Sequence, residues 1–395
     1  MSQCASLFSQ ILSLFPRNVF ADIVRKHKAD KHSKGFTCWD QFVAMLFCQL
    51  AQAKSLREIC GGLACCLGKL KHLGVQDAPK KSTLSYANEH RPWEVYQDLF
   101  YQLLKICQAV AATKKRRFKF KNKLLSLDAS VIDLCLTMFP WADFKTTKGA
   151  VKLHLLLDHD GYLPTYVLIT EGKKADVTIA RKLKLPAGSI VVMDRGYNDY
   201  ALFGSWTADN VFFVTRLKSN AAYKVLEQRV PPQNRNIISD EIIQLTGKDA
   251  SEKCPYLLRL VIAWDPVKKE EIVFLTNNLK LGASTIAAIY KDRWQIEVFF
   301  KELKQNLKVK TFVGTSPNAL RTQIWTALIA MLVLKYLQLK SQMKWSLSNL
   351  VAMLRWNLFT YRNLWDWIDR PYDTPPHEPL SFKQLVLSWT AGGKM

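Results

Sequence analysis

The sequence predicts a mixed α/β protein with a helical first third, a strand-rich centre split by a second β-rich stretch, and a helical end. Three observations predict it. Up to about residue 110, apolar residues recur at helical spacing, as in Phe42, Val43, Leu46, Phe47 and Leu50. From Leu124 the pattern shortens to alternation or to apolar runs of strand length. From Ile289 helical spacing returns, with Ile289, Ile296, Phe299, Phe300, Leu303 and Leu307 on one face.

Residues 1–115 read as a domain of short helices. Ser55 and Glu58 have capping-box spacing, and Gly61-Gly62 is expected to end the helix that follows. Ser82 is placed to cap a polar helix, STLSYANEHR, stopped by Pro92, and Trp93 to Leu104 gives a more apolar one. The polar helix suits a nucleic-acid groove, with Ser82, Thr83, Ser85, Asn88 and Arg91 turned outward, and suits a solvated surface equally well. Residues 113–123 then place seven basic side chains in eleven positions, beginning with Lys114, Lys115, Arg116 and Arg117. Such a run fits a solvated linker or a contact to a phosphate backbone, and the domain boundary falls inside it.

From Leu124, LLSLDAS, VKLHLLLDHDGYL and PTYVLIT read as a three-stranded meander with a turn at Asp160-Gly161. Asp176 to Leu183 reads as helix, Ser189 to Asp194 as a buried strand, Asp199 to Ala208 as helix and VFFVTRLK as a strand. This central domain covers 120–218 and resumes at 281–340. The β-rich insertion, 219–280, has a loop at Pro231-Pro232-Gln233-Asn234 and a hairpin around Asp265-Pro266. Residues 341–395 form a helical end, with a Pro-broken stretch RPYDTPPHEP, and are the candidate dimerisation region.

The chain has 395 residues, 49% of them hydrophobic, enough for a sizeable core and more than one domain. Lysine and arginine total 56 against 33 acids, giving +23 and a pI near 9.6. Charge of that size points to a polyanion, nucleic acid first, with a ribosomal or membrane-surface protein as the bland alternative. Nine cysteines contain no C-x-x-C pair, and no histidine follows Cys60, Cys65 and Cys66 at zinc-finger spacing, so they read as reduced thiols. The first residues lack the pattern of a signal peptide, and the apolar run Ile324 to Leu334 is short for a bilayer. The expectation is a cytoplasmic protein with no membrane partner.

The most specific pattern lies in IYKDRWQIEVFFKELKQNLK. On a helix, with Tyr290 at zero, Arg293, Glu297 and Lys304 fall at about −60°, −20° and −40°. A phenol, two cations and one carboxylate thus share a stripe, while Asp292 and Glu302 point away from it. Two aspartates add to this carboxylate: Asp128, central in SLDAS, and Asp194, at the end of SIVVMD. Aspartate is depleted in strands and is almost never buried unpaired. A salt bridge would satisfy either one alone. Three converging carboxylates need cations, and Mg²⁺ meets that need. Asp133, Asp158, Asp160 and Asp199 are the nearby rivals, and His154 and His159 read as strand or turn residues rather than ligands.

The spacing Y-(2)-R-(3)-E-(6)-K, together with DRGY after the second aspartate, resembles the bacterial insertion-sequence transposases of the "insertion sequence four" family. The match spans about 180 residues, counted from Asp128 to Lys304. The resemblance implies an RNase H-like catalytic core, whose strand and helix order the central domain shares. It assigns Asp128, Asp194 and Glu297 as catalytic and metal-binding residues, with two Mg²⁺ ions for which Mn²⁺ substitutes. It implies cut-and-paste transposition by nicking, hairpin formation, hairpin opening and strand transfer. It further implies that two subunits pair double-stranded terminal inverted repeats and deliver them to target DNA on the bacterial nucleoid. Tyr290, Arg293, Lys301 and Lys304 are then expected on the phosphates of the cleaved end. The resemblance also implies that the N-terminal domain reads the ends. Relatives stack an extruded base on a tryptophan of the insertion, and Trp264 is the candidate, though it also suits the insertion's own small core. Two alternatives stay open: a structure-selective nuclease on the same fold, and a transposase-derived DNA-binding protein without activity.

Overall fold

The computed structural model describes residues 5–373 except 32, 67, 146, 147, 234 and 235. The first helices are α1 (Leu7–Leu12), α2 (Arg17–Lys26), α3 (Cys38–Leu50), α4 (Leu56–Ala64), α5 (Lys81–His90) and α6 (Glu94–Ala112). Ser55 caps α4 by accepting from the Glu58 N–H at 3.2 Å, but the Glu58 carboxylate takes the Lys54 N–H, leaving the expected capping box half formed. Gly61 and Gly62 lie inside α4 rather than ending it. At Gly62 a Cβ would come within 2.8 Å of the Phe47 ring, so glycine there serves the packing of α4 on α3. Lys80, not Ser82, holds the N-cap of α5. The apolar stripe of α6 continues through Cys107 and Ala111, which carries that helix past Leu104.

The central strands are β1 (Leu124–Leu134), β2 (Asp143–Lys145), β3 (Lys148–Asp158), β4 (Leu163–Glu171), β5 (Ile190–Met193) and β6 (Phe212–Arg216), with α7 (Asp176–Ala180) and α8 (Tyr200–Ala208) on either side of β5. Next come β7 (Tyr223–Arg229), β8 (Ile237–Leu245), α9 (Lys248–Lys253), β9 (Leu258–Asp265) and β10 (Glu270–Thr276). All belong to one sheet in the order β2-β3-β1-β5-β6-β10-β9-β8-β7, with β4 also on β3. β1, β5 and β6 run parallel and the other pairings are antiparallel. The strands of 219–280 therefore extend the central sheet, because β10 pairs with β6. The sequence pattern missed β7 and β8. The side chains of β7 are almost all exposed, so no apolar alternation marks it.

The chain closes with α10 (Ala283–Asp292), α11 (Gln295–Asn306), α12 (Pro317–Lys340), α13 (Leu347–Asn357) and α14 (Leu364–Asp369). One sheet face packs Leu125, Leu127, Val191 and Met193 against Leu202, Phe203 and Trp206 of α8. The opposite face packs Leu124, Ile190 and Val192 against Ile286 and Ile289 of α10. Alongside, α1–α6, α11, α12 and α13 share a single apolar cluster with β1 and β3. Trp93 stacks on Trp325 of α12 at 6.3 Å within it. α12 is long and apolar enough to cross a membrane, but 78% of its apolar window is buried inside the protein, as in a core helix. The part of RPYDTPPHEP after Asp373 lies outside the described residues.

Candidate active site

β1 and β5 are in parallel register up to the pair Leu127–Met193. Asp128 and Asp194 are the next residues on these neighbouring strands, which lie about 4.8 Å apart in such a sheet. Side chains alternate between faces. Leu124, Ser126 and Asp128 therefore share a face with Ile190 and Val192, and that face meets α10, while Asp194 follows β5 in extended conformation. Met193 is fully buried, and the chain turns at once into a short 3₁₀ segment, Arg195–Tyr197. Asp194 caps this turn by accepting from the Gly196 N–H at 2.8 Å.

The stripe expected on one helix is carried by two. α10 ends at Asp292 and α11 starts at Gln295; the Arg293 N–H is shared between the Ile289 and Tyr290 carbonyls, and the Trp294 N–H bonds to the Lys291 carbonyl three residues back. That is 3₁₀ geometry, which tightens the turn. Glu297 Oε1 accepts from Arg293 Nη1 at 2.7 Å. The Arg293 guanidinium lies 5.4 Å from the centre of the Tyr290 ring, which packs on Phe274. Lys304 turns elsewhere: its ammonium donates to the Val131 carbonyl of β1 at 2.7 Å, beside Asp133, and burial lowers its pKa. Lys301 is exposed.

Burial raises the Asp128 carboxyl to about 7, and the charges of Glu297 and Asp194 push it the same way, against the Ala129 N–H and Arg293. Each acid has one oxygen committed: Asp128 Oδ1 to the Ala129 N–H at 2.8 Å, Asp194 Oδ1 to Gly196, and Glu297 Oε1 to Arg293. Among the described residues, Glu297 Oε2 and Arg293 Nε are buried without a hydrogen-bond partner. A hard divalent cation takes such carboxylate oxygens, and a phosphate takes such a guanidinium edge. Among the described residues no three acidic, His or Cys side chains are gathered as closely as in a metal cage. Carboxylates of like charge repel, and a bridging divalent cation would offset that repulsion.

The other sequence-selected residues are dispersed. Asp158 pairs with Lys123 at 2.8 Å, Asp160 with Arg116 at 2.7 Å, and Asp199 caps α8 and pairs with Arg181. Arg117 pairs with buried Asp292. Lys114 and Lys115 are exposed beside these pairs. On α5, Asn88 is 1% exposed and accepts from Gln41, so it cannot face a groove. Arg91 is turned inward onto the Phe36 and Thr37 carbonyls, while Ser82 and Ser85 are exposed. His154 is buried against Thr170 at 2.9 Å, and desolvation lowers it to about 4. Trp264 sits opposite Glu271, on the part of the β9–β10 hairpin that extends beyond Arg216 at the end of β6, and the residue is 42% exposed.

Two neighbours of the site escaped the sequence reading. Trp294, beside Arg293, is 61% exposed, although a tryptophan in an amphipathic segment reads as core. The Tyr197 hydroxyl is buried without a partner, and burial followed by the charges of Asp128, Asp176 and Asp194 raises its pKa. The signal for Tyr197 was the DRGY motif itself.

The family pattern of the transposase DDE domain matches residues 119–333, which is more than half of the chain. The chain belongs to the DDE transposases of bacterial insertion sequences. A domain of unknown function, DUF4372, matches residues 3–76 of the transposase. It is 33% identical over 265 residues to the protein named as transposase y4zB in Sinorhizobium fredii, covering 65% of this chain and 71% of that one. It is 29% identical to the transposase named for element IS5377 of Geobacillus stearothermophilus, over 68% and 70% of the two chains. Against transposase InsG of element IS4 from Escherichia coli it is 22% identical, over 48% and 44%. The piggyBac transposase synaptic complex with hairpin DNA aligns over 94% of this chain and 81% of that one, at a TM-score of 0.43 and 10% identity. Membership of the DDE family makes the transposase a DNA-cleaving and strand-transferring enzyme and implies dependence on a divalent metal.

Proposed function

We propose that Asp128, Asp194 and Glu297 form the acidic centre of this transposase. The observation that carries the reading is the parallel pairing of β1 and β5 just before the two aspartates, on a sheet whose face packs on α10, and it is supported by the charges of Glu297, Asp194 and Arg293 acting on Asp128. The strand order β4-β3-β1-β5-β6, antiparallel and then parallel, supports an RNase H-like core for it.

Asp128, Asp194 and Glu297 would hold Mg²⁺, in two sites, with Mn²⁺ able to substitute. Bound there, the ions supply activation of the attacking water or 3′-hydroxyl and stabilisation of the leaving oxygen. The protein's own part is placement and charge. Arg293 orients Glu297 through Nη1 and keeps Nε for a phosphate oxygen. Tyr290, Lys301 and Lys304 complete the expected set on the cleaved end, although Lys304 must first leave the Val131 carbonyl. Trp264 takes the extruded base at the hairpin step. Residues 1–115 recognise double-stranded terminal repeats, helped by Lys114, Lys115, Arg116 and Arg117 on the backbone. Residues 120–218 and 281–340 carry the chemistry, 219–280 the hairpin step, and 341–395 the contact between two subunits. The place of action is the bacterial cytoplasm, on the nucleoid and on target DNA.

Asp128→Asn, Asp194→Asn and Glu297→Gln test the centre directly. Each should abolish cleavage of an end-labelled duplex bearing the element's inverted repeat, while gel-shift affinity for that duplex stays near wild type. Cleavage retained by any of the three would overturn the assignment of that residue.

A further inference from the structure

A chain of largely shielded hydrogen bonds runs between β1, the strand that carries Asp128, and the end of α10, just before the helix that carries Glu297. Ser126 Oγ lies 2.7 Å from His159 Nε2, and His159 Nδ1 lies 2.7 Å from Asp292 Oδ2. The Tyr162 hydroxyl approaches both Asp292 oxygens at 3.3 and 3.4 Å, and Arg117 closes the chain from outside by donating to Oδ1. Ser126 is 0% and Asp292 2% exposed, and the His159 side chain is 6% exposed. The order Ser–His–Asp is that of a nucleophilic triad, but no substrate reaches a fully buried serine. The chain has a mechanical use instead.

It joins three elements. Ser126 is two residues before Asp128 on the same face of β1. His159 follows β3, its N–H held by the Leu124 carbonyl at 3.1 Å. Asp292 ends α10, next to Arg293, the partner of Glu297. Apolar packing alone lets a helix slide over a sheet, whereas hydrogen bonds to charged or ring partners are directional. We propose that Ser126–His159–Asp292 is a strut that sets the spacing of Asp128 and Glu297, with His159 as a positioning residue for the transposition chemistry. The proposal rests on reading Asp128 and Glu297 as metal-binding residues.

The test is Mn²⁺ binding followed by electron paramagnetic resonance on the full chain, without DNA. Outer partners of metal ligands are worth about 10–100-fold in metal affinity, and this strut acts one link further away. Ser126→Ala and His159→Ala are therefore expected to weaken Mn²⁺ by roughly three- to tenfold, with thermal unfolding still cooperative and gel-shift affinity for DNA unchanged. Added imidazole should restore much of the loss in His159→Ala and none in Ser126→Ala. Wild-type Mn²⁺ affinity in both folded variants would overturn the strut, as would a loss in His159→Ala that imidazole does not relieve. If His159→Ala fails to fold, Ser126→Ala decides alone. Asp128→Asn and Glu297→Gln serve as controls: Mn²⁺ binding unaffected in both would defeat the acidic-centre reading, whereas a loss in these controls without one in Ser126→Ala defeats only the strut.

Discussion

Arg293 Nη1 stands 2.7 Å from Glu297 Oε1 across one turn of helix, and both side chains are mostly shielded from water. The pair does two jobs with one guanidinium. It offsets part of the negative charge gathered around Asp128, and it leaves a second edge, Nε, uncommitted. Lysine can do the first job but not both, since its ammonium has no planar fork. Arg293→Lys is therefore expected to lower the rate of end cleavage by about 10², as for loss of one preorganised donor, with DNA affinity little changed. Single-turnover cleavage beside gel-shift titration separates the two. A wild-type rate would show that the second edge is not used.

The raised Asp128 carboxyl gives a stability prediction with a definite sign. Its folded pKa, about 7, exceeds the unfolded value of 3.8, so the folded state holds this proton more tightly. Its contribution to stability is complete below pH 4 and is lost as pH rises through 7, at a cost on the order of a few kcal/mol. In chelator, Asp128→Asn should melt higher than wild type at pH 8, and this advantage should shrink at pH 5. Thermal melts at the two values check it. A variant less stable than wild type at pH 8 would contradict the burial argument.

Arg259 and Asp240 form a two-pronged buried pair, with both contacts at 2.7 Å, between β9 and β8. Arg259 also holds the Leu281 carbonyl, just before α10. Truncating it to Ala leaves Asp240 buried and unpaired, which typically costs about 3–5 kcal/mol. Urea denaturation should show a loss of that order. A loss below about 1 kcal/mol, typical of exposed pairs, would mean that water reaches the site.

The basic run divides by its partners. Lys114 and Lys115 are exposed, whereas Arg116 and Arg117 already pair with Asp160 and Asp292. Replacing both lysines by Ala should lower the slope of log affinity against log salt by about 1–2, near 0.9 per lost phosphate contact, at unchanged melting temperature. Arg117→Ala, which strips a partner from buried Asp292, should lower the melting temperature instead. Equal salt slopes in the double variant and wild type would remove these lysines from the interface.

Trp264 projects on a hairpin that overhangs the end of β6. Base stacking on an aromatic ring is worth roughly 1–3 kcal/mol. Trp264→Ala should therefore slow hairpin formation about tenfold or more and leave the first nick nearly untouched. Denaturing gels of end-labelled DNA resolve the two products. Equal loss of both steps would indicate a folding defect, and loss of neither would leave Trp264 without a part in the hairpin step.

The sequence by itself determined the family and the chemistry. Tyr290, Arg293, Glu297 and Lys304 are fixed by local spacing, the strand of Asp128 is marked by alternation and that of Asp194 by an apolar run, so residue types and short-range period sufficed. Tertiary structure decided what those residues touch. Helical spacing put Lys304 in the stripe of Glu297, and both do lie on α11, but the carbonyl of Val131 on β1 sets the actual direction of the Lys304 ammonium. Asn88 reads as a polar surface residue until Gln41, far away in sequence, buries it. Asp292 points off the stripe and was set aside for that reason, yet Arg117, His159 and Tyr162 converge on it from distant parts of the chain. β7 joined the sheet because β8 offered an open edge, with no apolar pattern of its own to announce it. Periodicity is a short-range property. Hydrogen bonds and burial between distant segments have no counterpart in it, and here they set the direction of Lys304, Asn88 and Asp292.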